Sequence, residues 1–519
     1  MRLINLKQTL DNKSFKPIGM KNLFAIIFIL FIYQISNAQL QDNYDISGSP
    51  NGVIAMPYTQ GAYASFVKYT KIQAPNGKAI HIMAQNLITD AQIVRARNIL
   101  QFYLTNVPDS QYGADKTAVV NAMGTNGAML MLLNGSDGTA TPPNINAQPL
   151  YQNEMAVEGH AWYINNNYEH RDASFEEILH LMHDYGIGVD TNGTPSPIGA
   201  LPAYQAEIRA AQDNADNNFA IWPLTASSDP QWYNELAQEN SLSQEYLAAV
   251  VDSYYGLWEP WTEQEGVGMW GEYIAKTREE IQTEDPMGYA LMPKYFSPYI
   301  NINFDIDPTF TGVFDMNRNT ALPYTYKSQY LQHLTLTGTN TSGIKGNDLD
   351  NILNGNTANN TLQGGKGNDT LDGKAGTDIA VFSGNYAEYT ITTNADTVTV
   401  QDNTTDRDGT DTLISIETLQ FADQGVPNTP TMGVDTELSK SVVIYPNPAS
   451  EIIYFDFKDI AFSKITIAIY DVNGSIIKQQ TILSKQAQMT IQNLNNGVYF
   501  VEIQRDNNKA VTIRKIIVK

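Results

Sequence analysis

A nine-residue pattern occurs four times in succession between residues 346 and 381, and it constrains the fold of this chain more than any other feature. The four units read GNDLDNILN, GNTANNTLQ, GGKGNDTLD and GKAGTDIAV. Each begins with glycine and carries Asn or Asp at its sixth position; these residues are Asn351, Asn360, Asp369 and Asp378. A fixed short period of this kind indicates one small structural unit that is stacked on itself.

The order of residues within each unit predicts a parallel β-roll. Glycine allows the backbone to turn where φ is positive. Carboxylate and carbonyl oxygens at the turns suit a hard cation such as calcium. A large apolar residue follows the Asn or Asp by two or three positions and is expected to point into a narrow core; these are Leu353, Leu362, Leu371 and Val381. In a Gly/Asn-rich linker, leucine would not be expected to recur at the same position of each nine-residue unit.

The third unit, GGKGNDTLD, resembles the RTX (hemolysin-type) calcium repeat, G-G-x-G-x-D-x-U-x, in which U is a large apolar residue. The resemblance implies that the sixth-position aspartates and the glycine-rich turns bind calcium between stacked turns. The residues concerned are Asp369, Asp378, Gly364, Gly365 and Gly367. The first two units depart from the pattern because Asn351 and Asn360 occupy the aspartate position, so we expect weaker or empty sites there.

Composition limits the classes of partner and the sources of rigidity. The chain has 519 residues, a net charge of −23 and no cysteine. This length suffices for about three domains. An acidic surface repels nucleic acid and anionic membranes, so we expect neither as a partner. The absence of cysteine excludes disulfides, and rigidity must therefore come from packing or from metal.

The N-terminal residues have the features of a secretory signal peptide. Lys21 is followed by an apolar run of eleven residues, 23–33, which is too short to span a bilayer. A small-residue cleavage site, Ser-Asn-Ala, ends at Ala38. We predict initiation at Met20 and removal of residues 1–38, so that no transmembrane segment is expected in the mature chain.

Residues 39–335 predict a globular α/β or α+β domain and resemble no family along their whole length. Two β-like apolar runs, 79–83 and 128–133, occur among amphipathic helices. One helix is predicted over residues 88–104, where Thr89 is positioned to cap its first turn. Four of the six histidines of the chain lie between residues 160 and 183.

One predicted helix, residues 174–186, carries two of these histidines. Glu176, His180 and His183 are spaced at i, i+4 and i+7, which places them on one face, opposite an apolar stripe. Gly186 is expected to end this helix.

A second predicted helix, residues 241–258, places Glu245, Ala249 and Asp252 on one face. Its two adjacent alanines would allow another helix to approach closely.

The segment Glu176-Glu177-Ile-Leu-His180 is similar to the H-E-x-x-H motif of zinc metallopeptidases, with glutamate in place of the first histidine. The resemblance implies a zinc-dependent hydrolase. In such an enzyme Glu177 is the general base, and Glu176 and His180 are zinc ligands, with Glu245 of the later helix as the next ligand. The other candidate ligands are His183, His160 and His170.

The same residues also permit a purely structural interpretation. Ser174-x-x-Glu177 is a capping box, in which Glu177 would only accept a backbone N–H, and residues 241–244 form a second one. Glu176 and Glu245 would then be first-turn acids that interact with the helix dipole. On this alternative the domain is a non-enzymatic extracellular binding or adhesion module.

Residues 382–425 alternate apolar and polar side chains and are similar to the β-rich segment that closes an RTX roll. Asp402, Asp406, Asp408 and Asp411 form an acidic loop. This loop is either another calcium site or a solvated turn.

Beyond a linker at residues 426–438, the last domain (439–519) shows seven short strand patterns that predict an Ig-like β-sandwich. The motifs YPNPA, IYDVNG, LNNGVYFV and the terminal KIIVK resemble the type A sorting domain of the type IX secretion system. The resemblance implies export by the type IX machinery of a Bacteroidetes-type bacterium, to the cell surface or the medium, followed by removal of the domain. An adhesive Ig-like module is the alternative.

The sequence therefore predicts a secreted multidomain protein. After the signal peptide (1–38) come an α/β effector domain (39–335), a short parallel β-roll with its closing sheet (340–425) and a C-terminal Ig-like sandwich (439–519). Calcium is the expected cofactor, and zinc is the candidate second metal. The extracellular substrate or ligand is not specified by the sequence.

Overall fold

The computed structural model describes residues 40–139, 141–161, 172–189, 199–226, 230–259, 267–317, 329–393, 397–428, 436–458, 460–472, 474–505 and 511–519. The predicted signal peptide, His170 and most of the predicted linker lie outside these ranges. Within them, every helix is too short or too polar to traverse a lipid bilayer.

The N-terminal part is organised around a mixed β-sheet, in which the described residues form five strands in the order β1-β2-β3-β4-β5. The strands are β1 (Ile54–Ala55), β2 (Lys68–Gln73), β3 (Ala79–Ala84), β4 (Met129–Leu133) and β5 (Gln148–Tyr151). Strands β1 to β3 are antiparallel, and β3 to β5 are parallel. The two predicted apolar runs are β3 and β4. Because apolar side chains cover both faces of these strands, their sequences are continuously hydrophobic.

Helices cover this sheet and extend the domain beyond it. They are α1 (Asp90–Leu104), α2 (Thr117–Thr125), α3 (Ser174–Met182), α4 (Pro202–Ala215), α5 (Pro230–Glu239), α6 (Leu242–Tyr254), α7 (Arg278–Glu284) and α8 (Pro286–Tyr295). The predicted cap of α1 is confirmed. The Thr89 hydroxyl accepts the backbone N–H of Gln92, whose side chain in turn accepts the N–H of Thr89.

The prediction that Gly186 ends α3 is wrong. After Met182 the chain continues as a π-helical segment (His183–Ile187), and the left-handed residue that follows is Gly188, with φ of 101°. Glycine at position 186 serves packing instead. A Cβ there would lie 2.7 Å from a methyl group of Val119, so a side chain would force α2 away from this segment.

The repeats form a β-roll of two facing sheets, as predicted. Its strands are β6 (Ile300–Ile306), β7 (Gly312–Asp315), β8 (Leu331–Leu336), β9 (Ser342–Lys345), β10 (Ile352–Asn354), β11 (Thr361–Gln363), β12 (Thr370–Asp372), β13 (Ile379–Val381), β14 (Tyr389–Thr393), β15 (Val398–Asp402), β16 (Thr410–Ile414), β17 (Thr418–Gln420) and β18 (Gly425–Pro427). Successive repeats alternate between the sheets, and neighbours within each sheet are parallel.

The apolar residues of the repeats form the core between these sheets. Leu353, Leu362 and Leu371 are fully buried there. The expectation for Val381 is wrong, because Ala380 pairs with Leu362 and occupies the inward position, while Val381 is only half-buried. The fourth unit keeps the register of the others, with alanine at the inward position two residues after the aspartate.

The roll begins before the repeats and shares its core with the N-terminal domain. Strands β6, β7 and β8 precede residue 340, yet each pairs in parallel within one of the two roll sheets. The boundary expected between residues 335 and 340 therefore falls inside these sheets. One hydrophobic core includes Phe175 of α3, Phe304 of β6 and Leu371 of β12. The N-terminal domain and the roll are thus packed as one unit.

The C-terminal domain is the predicted β-sandwich with a core of its own. Its described residues form the helix α9 (Thr436–Ser441) and two antiparallel sheets, in the orders β19-β20-β23 and β22-β21-β24-β25. The strands are β19 (Val442–Tyr445), β20 (Ile452–Phe457), β21 (Ile465–Tyr470), β22 (Ile476–Ile482), β23 (Gln486–Thr490), β24 (Gly497–Arg505) and β25 (Val511–Val518).

Candidate metal centres

The start of α3 is held by a buried ion network. Arg95 of α1 pairs with Glu158 at 3.0 Å and with Asp172 at 2.8 Å, and it donates to the Ser174 hydroxyl at 2.8 Å. Asp172 also accepts the backbone N–H of Ser174 at 3.0 Å. Ser174 is therefore an anchor for the first residue of α3. It does not cap the helix.

The capping interpretation of the two site helices is wrong. The N-cap of α3 is Ala173 and that of α6 is Ser241, and neither makes a side-chain capping hydrogen bond among the described residues. The Glu177 carboxylate instead accepts a hydrogen bond from Gln148 of β5 at 2.5 Å. Glu177 thus points to the end of the sheet rather than to its own helix terminus.

Glu176 and His180 of α3 meet Glu245 of α6 where these helices pack together. One potential ligand atom of each residue lies within 4.8 Å of those of the other two. The Nε2 atom of His180 is 3.8 Å from Glu245 Oε1. Ala249, one turn after Glu245, is buried, and its small side chain permits this close approach. The structure thus brings together three of the predicted ligands.

The two nitrogens of His180 have different surroundings. Nδ1 lies 3.6 Å from Glu177 Oε2, so this carboxylate can orient the imidazole ring. Nε2 faces Glu245, is buried and has no hydrogen-bond partner within the described ranges. A buried imidazole nitrogen without a hydrogen bond is well suited to bind a metal ion.

The cluster concentrates charge in a buried position. Burial, followed by repulsion from Glu177 and Glu245, raises the pKa of Glu176 well above its usual value. Burial also raises the pKa of Glu245, against the opposing effect of His180. Burial alone would lower the pKa of His180, but Glu245 and Glu177 outweigh it and raise this pKa to about 10. A divalent cation would stabilise the ionised carboxylates at this point.

The cluster is accessible from one side. The side chains of Glu177 and Glu245 are 26% and 24% exposed, whereas that of His180 is 9% exposed. Asp252 closes the inner end of the same α6 face, where Trp258 Nε1 donates to its Oδ2 at 2.9 Å. Burial raises the pKa of Asp252 to about 7. A ligand would therefore approach from the side of Glu177 and Glu245.

Of the remaining predicted histidine ligands, neither His183 nor His160 joins this group. His183 lies in the π-helical segment, where its Nε2 contacts Gln205 Oε1 of α4 at 2.6 Å. The widened turn after Met182 directs the His183 ring towards α4. His160 is not part of the cluster of ligand atoms, and His170 lies outside the described residues.

The sixth-position residues of the repeats line the two edges of the roll, alternate units on opposite edges. Asn351 uses both atoms of its amide: Oδ1 accepts the N–H of Asn347 at 3.0 Å, and Nδ2 donates to the Gln332 carbonyl at 3.1 Å. On the other edge, Asn360 makes the same pair of bonds, with the N–H of Asn356 and the Ser342 carbonyl. The first two turns are therefore closed by amide hydrogen bonds.

The aspartate turns are closed differently. Asp369 Oδ1 accepts the N–H of Asn351, and Asp378 Oδ1 accepts that of Asn360, both at 2.7 Å. The second oxygen of each carboxylate is buried and receives no hydrogen bond from the described part of the chain. Burial raises the pKa of Asp369 to about 7 and also raises that of Asp378. These two carboxylate oxygens are suited to bind a cation. They belong to the turns at which the RTX resemblance implies calcium.

The glycines of the third unit make room for this arrangement. A Cβ on Gly364 would overlap the Asp369 carboxylate. Gly365 and Gly367 have φ of 103° and 105°, which side-chain-bearing residues rarely adopt. In the first unit Asn347 stands in the place of Gly365 and supplies the N–H that Asn351 binds.

Comparison with known families agrees with the interpretation of these turns as calcium-binding repeats. Residues 345–380 match the family "RTX calcium-binding nonapeptide repeat (4 copies)". Residues 443–519 match "Secretion system C-terminal sorting domain". The chain is a secreted RTX calcium-binding protein. Its sorting domain directs it through the type IX secretion machinery to the cell surface or the extracellular space. The N-terminal domain of this RTX protein is assigned to no family by these matches.

No curated protein matches the RTX protein. Among solved structures it is similar to a DUF3244 family protein with an immunoglobulin-like β-sandwich from Bacteroides vulgatus, at 14% identity and a TM-score of 0.14 over 15% of this chain and 85% of that one. PorZ of the Porphyromonas gingivalis type IX secretion system gives 17% identity and a TM-score of 0.14 over 25% of this chain and 16% of that one. The extracellular lipase LipA of Serratia marcescens gives 10% identity and a TM-score of 0.16 over 75% of this chain and 59% of that one.

Proposed function

We propose that the N-terminal domain of this RTX protein is a zinc-dependent hydrolase of the peptidase type. The observation that supports this proposal is the convergence of Glu176, His180 and Glu245, whose ligand atoms lie within 4.8 Å of one another in a partly open cluster. Two carboxylate oxygens and one imidazole nitrogen are ligands that zinc accepts, and three protein ligands are typical of a catalytic zinc site.

Zinc would supply Lewis acidity and would lower the pKa of a bound water molecule. The protein would supply the remaining functions. Glu176, His180 and Glu245 would hold the metal, with Glu177 as the general base at the exposed side of the cluster. The hydrogen bond from Gln148 holds Oε2 of the Glu177 carboxylate, and the other oxygen would take the proton.

Metal analysis of the full chain tests the site. The protein is purified in calcium, and its zinc content is measured by mass spectrometry for the wild type, His180→Ala and the matched control His183→Asn. The control changes a histidine of the same segment that lies outside the cluster. We expect about one zinc per chain in the wild type and in the control, and loss of zinc in His180→Ala. Absence of zinc from the wild type, or equal zinc in all three proteins, would contradict the proposal.

Hydrolysis of fluorescent casein and of a mixed peptide library tests the chemistry. Glu177→Gln keeps the shape of the side chain and removes the base, so we expect it to retain zinc and to lose about 10²–10⁴-fold in rate. Glu235→Gln, an exposed site on α5, is the control and should retain full activity. Full activity in Glu177→Gln would exclude this mechanism. A zinc-loaded wild type that cleaves nothing would favour a binding module.

We also propose that export is accompanied by two cleavages in a Bacteroidetes-type bacterium. The first removes residues 1–38, and the second removes the sorting domain within the linker at residues 426–438. The separate hydrophobic core of the C-terminal domain supports the second cleavage, because its loss leaves the other core intact. Mass analysis of the secreted protein should give an N-terminus at Gln39 and a C-terminus within the linker. A secreted chain that ends at Lys519 would contradict the second cleavage.

A further inference from the structure

The β-roll continues past the four repeats in a turn that is not contiguous with them in sequence. Strand β16 pairs in parallel with β12, with Thr412 beside Thr370, so that Asp411 stands beside Asp369. In the sequence, the hairpin β14–β15 lies between these two strands. Asp411 therefore occupies the sixth position of a further coil. It follows Asp369 by 42 residues, whereas sixth-position residues on one edge of the repeats are 18 residues apart.

The opposite edge of the roll is extended in the same way. Strand β17 pairs in parallel with β13, with Thr418 beside Ile379, which places Glu417 beside Asp378. The Asp378 N–H donates to Glu417 Oε2 at 2.7 Å, and the Asp369 N–H donates to Asp411 Oδ1 at 3.0 Å. Each repeat aspartate thus donates its backbone N–H to an acid of the later coil. The asparagine of the preceding turn donates its backbone N–H to that aspartate in the same way.

A second series of hydrogen bonds shows the same register. The N–H of Asn368 donates to Asp350 Oδ1 at 2.7 Å, and the N–H of Thr410 donates to Asn368 Oδ1 at 3.0 Å. The residue preceding the sixth position therefore has equivalent contacts in the repeats and in the later coil. The backbone around Asp411 has the geometry of a repeat turn although its sequence does not follow the pattern.

The oxygens at this end of the roll have too few donors. Asp369 and Asp378 are almost completely buried, and the Oδ2 atom of each receives no hydrogen bond from any residue that the structure describes. A Cβ built on Gly373 would lie 2.5 Å from Asp378 Oδ2 and would also overlap the Ser415 carbonyl oxygen. On the Asp378 edge, oxygens of the repeat and of the later coil thus lie close together, as calcium binding requires.

Two of the other acids of the loop, Asp402 and Asp408, are already bound within the protein. Asp402 pairs with Arg407 at 2.6 Å, and Asp408 accepts hydrogen bonds from the Tyr389 hydroxyl and the Ser383 N–H. Asp402, Asp408 and Asp411 are buried, so the solvated turn considered from the sequence is wrong for these three. Asp406 is exposed. Asp411 differs from the others because its contacts are with the repeat coil.

We propose that two calcium ions are bound between the repeats and this later coil, one shared by Asp369 and Asp411 and the other by Asp378 and Glu417. Backbone carbonyls of the turns complete both sites. Calcium would then join residues 410–420 to the repeats, from which the hairpin separates them in the sequence. The ligands Asp411 and Glu417 lie beyond the residues that match the repeat family.

Calcium titration of the metal-depleted full chain by calorimetry tests the proposal. The variants are Asp411→Asn and Glu417→Gln, and the matched control is Asp406→Asn, which makes the same change at the exposed acid of the loop. We expect each of the two variants to lose one tight calcium ion, or to bind it at least about tenfold more weakly, and the control to bind as the wild type does. Calcium binding by both variants that equals the control would overturn the proposal.

Two further measurements separate ligation from a structural role. Asn at position 411 still accepts the Asp369 N–H but cannot ionise, so Asp411→Asn should raise the melting temperature of the metal-free chain and lower that of the calcium-loaded chain. A merely structural Asp411 would lower both. The double variant Asp369→Asn/Asp411→Asn should lose no more calcium than Asp369→Asn alone, because both residues bind one ion. Additive losses would contradict a shared site.

Discussion

The backbone N–H of Asn351 donates to Asp369 Oδ1 at 2.7 Å, and this bond joins a turn closed by amides to a turn that needs a cation. On the Asn351 side, both amide atoms have partners in the chain. On the Asp369 side, one carboxylate oxygen is buried and lacks a donor among the described residues. The first repeat turns are therefore closed by hydrogen bonds, whereas we expect the later turns to be closed by calcium.

Asn351→Asp should convert a calcium-independent turn into a calcium-dependent one. The new carboxylate cannot donate to the Gln332 carbonyl, so we expect the metal-free chain to lose at least about 2 kcal/mol of stability. Calcium should restore part of this loss. Asn359→Asp is the matched control, because Asn359 is exposed and its Oδ1 only accepts the N–H of Thr377. Equal denaturation midpoints for the two variants in the metal-free state would contradict the prediction.

The stability of the metal-free roll should fall as pH rises. Burial raises the pKa of Asp369 to about 7, from the ordinary value of 3.8. Burial, followed by repulsion from Asp369, raises the pKa of Asp411 to about 9. Because these pKa values are raised in the folded state, the folded chain keeps protons that the unfolded chain loses above about pH 4. The stability that these two carboxyl groups contribute is therefore present in full below about pH 4 and is lost progressively up to about pH 9.

Thermal unfolding of the metal-free chain at about pH 5 and about pH 8 measures this effect. We expect a lower melting temperature at the higher pH, and a smaller difference in saturating calcium. The double variant Asp369→Asn/Asp411→Asn is the control for all other titrating groups, and it should show a weaker pH dependence. A wild type and a double variant with the same pH dependence would show that these carboxylates do not cause it.

The sequence was sufficient for features that depend on local periodicity. The nine-residue period predicted the roll and its leucine core, and the spacing of seven short strand patterns predicted the C-terminal sandwich. The i, i+4 spacing placed Glu176 and His180 together, and the alanines of α6 indicated that Glu245 could approach them. Each of these depends on residues that are close in the chain or on one helix face.

Features that depend on pairing between distant segments were missed. Strands β6 to β8 have no repeat pattern, and only their pairing with β9 and β10 shows that the roll begins near residue 300. Asp411 was separated from the repeats by a hairpin, so no fixed period could reveal its position. The capping box predicted at Ser174 failed because Arg95 of a distant helix and the neighbouring Asp172 bind its hydroxyl. The one predicted at residues 241–244 failed because the Ser241 hydroxyl donates to the Leu236 carbonyl instead.

Arg95→Met should destabilise the N-terminal domain strongly. The substitution leaves Glu158 and Asp172 buried without their cation, which typically costs about 3–5 kcal/mol. Arg97→Met on the same helix is the control, because that guanidinium binds the Asn51 carbonyl and the Thr70 hydroxyl. Chemical denaturation of both variants in calcium should give the larger loss for Arg95→Met. An equal loss would mean that the network does not anchor α3.

Long-wavelength anomalous diffraction from crystals of the full chain grown in calcium tests the central claim most directly, because it locates each ion. We predict calcium peaks beside the Asp369–Asp411 and Asp378–Glu417 pairs and none beside the amide-closed turns of Asn351 and Asn360. Peaks beside the two asparagines, or no peak beside either aspartate pair, would contradict the account.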